Sequence, residues 1–570
     1  MTPHARWWVP LSLAAALPLG TSGGARAAGP PEPDLLPTMK AALDEAATQL
    51  GQLKDADRAY SIAYSVLDHR ALNIQGSHGA FAGMVPEHYR SVDVDVRVGS
   101  LDLDSTHKIR DESYFSGTSR PHWLVGFEGG ADPLRRLLLR ATDDAYRGAL
   151  ARLLKVRSNE AVKVEREDDS ADYSIAPAQK RMDVPPDLVI DRAAWQEVTR
   201  AASAVYLEYP EVYDSAVQLV VTEDDRWLVN NEGTEVRDGR RHLRVATWAE
   251  TVAEDGMALS VYDYVDVASV AHLPDAARIE AMVRQVAART VALRNAPIIE
   301  PWNGPAILRG RAAGVFFHEI FGHRIEGHRQ KDEDEGQTFT HRVGQAILPA
   351  FLSVVDDPTV ERLANEDLNG HYVLDDEGVA AERVSLVERG VLRNFLMSRA
   401  PVEGFPKSNG HGRRQAGNFI VPRQGNLMVQ AEGVIPYAEL RKRLVAELGK
   451  QKKPWGLVFD DISGGFTFTG RSTPNSFVVQ PVTVWRVFAD GRPDQLVRGV
   501  DLIGTPLTTF GRILAAGGDV EVFNGVCGAE SGWVPVSASS PSLLVQEVEV
   551  QRREKGNDRP PLSSPPVGTK

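Results

Sequence analysis

From Asp34 onward, apolar residues fall at Leu36, Met39, Leu43 and Leu50, the spacing of one helix face, with Asp34 placed to cap it. The period then shortens to two. Residues 59–67 alternate as a strand, Asp68-His69-Arg70 reads as a turn, and residues 72–75 return, which predicts a hairpin. Val92, Val94, Val96 and Val98 alternate with Asp93, Asp95 and Arg97, giving a strand with one core face and one wet face. Asp132-Pro133 starts a helix that runs to about Lys155. Residues 158–182 are polar and charged, and read as an exposed connection. Runs at 217–221, 226–230, 242–250 and 258–267 predict an antiparallel meander, and 275–294 a helix with Ile279, Met282, Val286 and Leu293 inward. Beyond residue 301, strand-like runs between glycine turns dominate: 352–355, 383–387, 392–397, 427–430, 466–469 and 477–487, with one helix at 437–448. The charge-rich 331–336 reads as an exposed loop. The fold class is α+β, with an α/β N-terminal region over 34–300 and a β-rich antiparallel C-terminal domain over 301–550. The charged, proline-rich residues 551–570 are expected to be a disordered tail.

Composition narrows the class. A chain of 570 residues with 42% hydrophobic and 25% charged residues is globular and long enough for two or three domains. Its net charge of −13 argues against a nucleic-acid partner, whose footprint is basic. At the N-terminus, Arg6, an apolar run over 9–19 and Ala25-Arg26-Ala27 have the form of a signal peptide spanning residues 1–27. The run is too short to span a bilayer, and no later stretch reaches about 18 apolar residues. The expected location is exported, periplasmic or secreted. Cys527 is the single cysteine, so in an oxidising compartment its thiol needs burial or a metal to protect it.

The chemistry concentrates at residues 314–330, GVFFHEIFGHRIEGHRQ. His–Glu–x–x–His on a helix is the zinc peptidase signature, two ligands on one face and the glutamate as base. Here one residue is added between His318-Glu319 and His323. Four residues of α-helix turn about 400° and leave two side chains about 40° apart; five turn about 500° and leave them about 140° apart. A regular helix therefore cannot aim both imidazoles at one ion. It must carry a π-bulge or unwind before His323, and Gly322 permits either. Phe316, Phe317, Ile320 and Phe321 set an apolar wall beside the ligands. His328 follows His323 by five more residues and is a rival ligand.

These pieces carry a resemblance. His318-Glu319-x-x-x-His323, Glu326-Gly327, Val355-Asp356-Asp357, Asp375-Asp376-Glu377-Gly378, Glu388-x-Gly390-Val391-Leu392, Ser408-Asn409-Gly410-x-Gly412-Arg413, Asp461-Ile462-Ser463-Gly464-Gly465 and Asn524-Gly525-Val526-Cys527-Gly528 resemble, in order, the TldD/PmbA family of metalloproteases. The resemblance covers roughly 302–550 and is weaker before it. It implies an active, TldD-like subunit binding Zn2+ through His318, His323 and Cys527, with Glu319 as general base and a water at the open position. It also implies small or unfolded polypeptide substrates and a homodimer or a heterodimer with a related subunit. Two departures stand out: the export signal, and His328 where the family often has aspartate. Two other functions remain: an exported metal-dependent amide hydrolase of a non-protein substrate, and a non-catalytic subunit of such an assembly.

Overall fold

A computed structural model describes residues 34–53, 57–109, 122–161, 168–332, 334–471, 477–504 and 510–553. The segment read as a signal peptide, 1–27, lies outside the described residues, as does the tail beyond 553.

The first half is built on one sheet with strand order His122–Leu124, Ala80–Val98, Ala59–Ser77, Asp214–Asn230, Glu235–Val252 and Lys180–Asp183; Ala258–Val267 also pairs with Glu235–Val252. Helices Leu36–Gly51, Ala131–Glu160, Arg192–Ser203 and Ala276–Asn295 accompany it. Asp275 caps the last of these by accepting from the Arg278 amide at 2.8 Å. The Arg192–Ser203 helix has no counterpart in the sequence reading, although Asp191 caps it by accepting from the Ala194 amide at 3.0 Å.

Pairing corrects several expectations. Asp68-His69-Arg70 is not a turn: Ala59–Ser77 runs straight through it, and the chain reverses at His78-Gly79, both with positive φ. The charges there are satisfied across the sheet, since buried Asp68 meets Arg90 at 2.8 Å and His88 at 3.0 Å. The runs 217–221 and 226–230 are likewise one strand, Asp214–Asn230. The aspartate face of the valine strand is not wet. Buried Asp93 accepts from the Gly417 amide at 3.1 Å and Asp95 pairs with Arg414 at 2.9 Å, so residues of the second half cover it. Residues 331–336 are not simply exposed: Asp332 is buried against Lys108, and Lys331 donates to the Ser170 carbonyl at 3.0 Å.

Among the described residues of the second half an eleven-stranded sheet runs Val391–Leu392, Val384–Glu388, Leu352–Asp356, Asn426–Ala431, Gly532–Arg552, Val500–Gly504, Phe477–Phe488, Trp455–Thr467 and Trp302–Leu308, with Gln495–Val497 beside Phe477–Phe488. Trp302–Leu308 also pairs with Gly532–Arg552, so the last five strands close on themselves. Ile513–Ala529 lies along Gly532–Arg552. Boundaries differ from expectation: residues 393–397 are not strand, Phe466 and Thr467 of the run 466–469 are the end of Trp455–Thr467, and Gln551 and Arg552, placed in the tail, pair with Asp501 and Val500. The helix Gly310–Ile320 packs on the Gly532–Arg552 strand with Phe316, Phe317 and Ile320 wholly buried. That placement holds the motif in the largest hydrophobic core among the described residues.

Candidate metal centre

The α-helix ends at Ile320, and Gly322–Ile325 continue as a 3₁₀ turn. Of the two ways to bring His323 round, the chain therefore uses unwinding. The carbonyls freed at the helix end are not orphaned, because Arg324 Nη1 donates to Glu319 O at 3.1 Å and Ile320 O at 3.2 Å. Gly322 is required by space: a Cβ there would lie 1.9 Å from Oε1 of Gln424, which is 1% exposed. Gly322→Ala should lower the stability of the metal-free protein by about 1–3 kcal/mol, read as a fall in unfolding temperature. An unchanged transition would show that Gln424 yields freely.

The unwound turn aims both imidazoles at one point. His318 Nε2 is 3.2 Å and His323 Nε2 3.3 Å from Cys527 Sγ, and the two rings stand 79° apart. Cys527 reaches the helix from the Ile513–Ala529 strand, 209 residues beyond His318. All three donor atoms lie within 4.8 Å of one another. Zinc bonds of about 2.0–2.3 Å at tetrahedral angles set nitrogen and sulfur roughly 3.5 Å apart. The donor set and its spacing therefore fit such an ion and leave room for a fourth position.

Electrostatics pair the thiol with the imidazoles. Burial raises the Cys527 thiol, but the imidazoles of His323 and His318 and the Arg423 guanidinium outweigh it and hold the thiol well below its ordinary value. Burial lowers His323, and Cys527 and Glu326 outweigh it, so His323 lies well above its ordinary value. Glu319, 7% exposed, is raised by burial against the pull of both histidines. Its carboxylate makes no hydrogen bond among the described residues. Its stem lies against the Trp455–Thr467 strand, where a Cβ on Gly465 would come within 2.8 Å of Glu319 Cγ.

His328 stands elsewhere. It contacts Glu530 and groups with Glu326 and Glu530, not with His318, His323 and Cys527. That second group is already served by cations: Arg329 reaches Glu326 and Glu530, each at 2.9 Å. Arg423, Gln424 and Glu530 contribute to the centre without any signal in the sequence reading. They are single polar residues in loops and turns that only the fold brings here.

Residues 302–552 match the model of the PmbA/TldA metallopeptidase C-terminal domain. Over this domain the chain is similar to the TldD/PmbA family. It is 28% identical over 251 residues to a "Metalloprotease TldD homolog" of Haemophilus influenzae, covering 43% of this chain and 48% of that one. A "Zinc metalloprotease TldD homolog" of Saccharolobus solfataricus is 23% identical over 257 residues, covering 43% and 51%. The match thus spans about half the length of these relatives. A "Metalloprotease" of Methanothermobacter thermautotrophicus aligns more widely, 24% identical over 80% of this chain and 99% of its own. Among solved structures, TldE of Thermococcus kodakarensis is similar in fold at a TM-score of 0.58 and 12% identity, covering 90% of this chain and 100% of that one.

Proposed function

We propose that this TldD/PmbA-like protein is a zinc-dependent metallopeptidase of small or unfolded polypeptides. His318, His323 and Cys527 would hold the ion and Glu319 would act as general base. The observation that carries the reading is the meeting of two imidazoles and the chain's single thiol beside a buried carboxylate. Zinc, when bound, supplies Lewis acidity to water and to the scissile carbonyl. Glu319 takes the proton of the attacking water and passes it to the departing amine nitrogen, a transfer eased by its raised proton affinity. The wall of Phe316, Phe317, Ile320 and Phe321 excludes bulk water and strengthens these interactions.

An extended substrate would lie along a strand edge. Beyond Phe459 the Trp455–Thr467 strand has a ladder partner on one side only among the described residues, and it passes Glu319 at Gly465. Backbone pairing there would accept unfolded chain with little regard for side chains. The test is zinc analysis of purified protein, followed by cleavage of an unfolded polypeptide, its folded form and a panel of small amides. Absence of zinc, or cleavage of small amides alone, would overturn the reading. Pairing with a copy or a related subunit, and export with a mature N-terminus near Ala28, belong to the same proposal. Light scattering and mass analysis of the N-terminus test them.

Acid should strip the metal. Zinc and a proton compete for His323 Nε2, and the elevated affinity of His323 for a proton makes that competition begin above about pH 6.5, the ordinary histidine value. Cys527, held low, has little proton to lose over this range. Zinc affinity measured by chelator competition should therefore fall steadily as pH drops from about 8 to 5. A flat profile would count against histidine ligation.

A further inference from the structure

We propose that Glu326 and Arg423 are positioning residues of the metal centre, Glu326 orienting His323 and Arg423 tying Glu326 to the strand that bears Cys527. The inference rests on the ligand set proposed above. The two ring nitrogens of His323 face different partners: Nε2 meets Cys527 Sγ at 3.3 Å, and Nδ1 faces Glu326 at 3.3 Å to Oε1 and 3.5 Å to Oε2. A carboxylate on Nδ1 keeps the proton there and leaves the Nε2 lone pair for an ion. His318 has no such support, since its buried Nδ1 lacks a hydrogen-bond partner among the described residues. Glu326 therefore acts on one ligand of the pair.

Glu326 is itself fixed. It is wholly buried, and Arg329 Nε donates to its Oε2 at 2.9 Å while Arg423 Nε approaches Oε1 at 3.5 Å. Arg423 is also wholly buried, and its Nη2 donates to the Cys527 carbonyl at 2.7 Å. Its Nη1 donates to Ser531 Oγ at 2.8 Å and the Gly532 carbonyl at 3.0 Å, at the turn that follows Cys527. A line of contacts thus runs from His323 through Glu326 and Arg423 to the backbone of Cys527, its Glu326–Arg423 step being an ion pair without a hydrogen bond among the described residues. It joins the unwound helix to the strand supplying the distant ligand, so displacement of one ligand is resisted by the other.

The experiment measures zinc affinity of the full-length protein by chelator competition at neutral pH, with unfolding temperatures of the metal-free forms. Loss of such support typically weakens metal binding by about 10–100-fold. Glu326→Ala should lie near the upper end of that range. Glu326→Gln, whose amide oxygen still accepts from Nδ1, should recover part of the loss and stay roughly 10-fold weaker than wild type. Arg423→Gln should also be roughly 10-fold weaker. Affinity within about threefold of wild type in Glu326→Gln or in Arg423→Gln overturns the proposal, and so do equal losses in both Glu326 variants that merely follow equal falls in unfolding temperature. Should Glu326→Ala not fold, Glu326→Gln decides against the same threshold. A wild-type protein that binds no zinc overturns the ligand assignment itself, an outcome distinct from wild-type binding that Glu326 does not influence.

Discussion

Glu319→Gln retains its zinc and loses peptidase turnover by roughly 10²–10⁴-fold, the usual effect of removing a general base. The substitution keeps the shape of the side chain against Gly465 and leaves His318, His323 and Cys527 untouched. Only the proton-accepting capacity disappears. No hydrogen bond of the Glu319 carboxylate is lost among the described residues, so the fold should bear the change without loss. Zinc content, thermal unfolding and cleavage of an unfolded polypeptide are measured together. Turnover near that of wild type with zinc bound would end the proposed mechanism. His318→Ala and His323→Ala form the contrasting pair, losing metal and activity together.

Cys527→Ser loses both zinc and activity, while His328→Ala keeps zinc. The prediction follows from where each side chain is engaged. Cys527 Sγ lies 3.2 Å and 3.3 Å from the two imidazole nitrogens, whereas His328 is turned to Glu530. Serine replaces a soft, readily ionised thiol by a hydroxyl that does not ionise in this range and binds zinc weakly. The wild-type thiol should resist alkylation until a chelator is added, and the cobalt-substituted protein should show an intense near-ultraviolet thiolate charge-transfer band. Full zinc occupancy in Cys527→Ser together with zinc loss in His328→Ala would reverse the assignment. His328→Ala also removes one of the hydrogen-bond partners of Glu530 and leaves Arg329 as another, so a modest loss of stability is expected there.

Much of this centre is written locally. The added residue between His318 and His323, with Gly322 in the gap, rules out a regular helix from backbone geometry alone, because helix angles depend only on residue number. The α+β character follows from hydrophobic periods of two and near 3.6 within short windows, and helix ends such as Asp275 follow from side chains that cap their own backbone. The single cysteine announces a thiol that needs protection.

What only the tertiary structure decided is everything that depends on a partner far along the chain. Unwinding rather than bulging at Gly322 is settled by Arg324, which takes the freed carbonyls, and by Gln424, which fills the space a side chain would need. Asp68 and Asp93 resemble turn and surface residues until their arginines and histidines arrive from other strands. Cys527 becomes a candidate ligand by contact, and Glu326 and Arg423 supporting residues, only when the Ile513–Ala529 strand and the motif helix share one core. Period and capping are short-range and fixed by stereochemistry, so they can be read from neighbours in the chain. A charge or donor gains its role from the groups that replace water around it, and those groups are chosen by the fold.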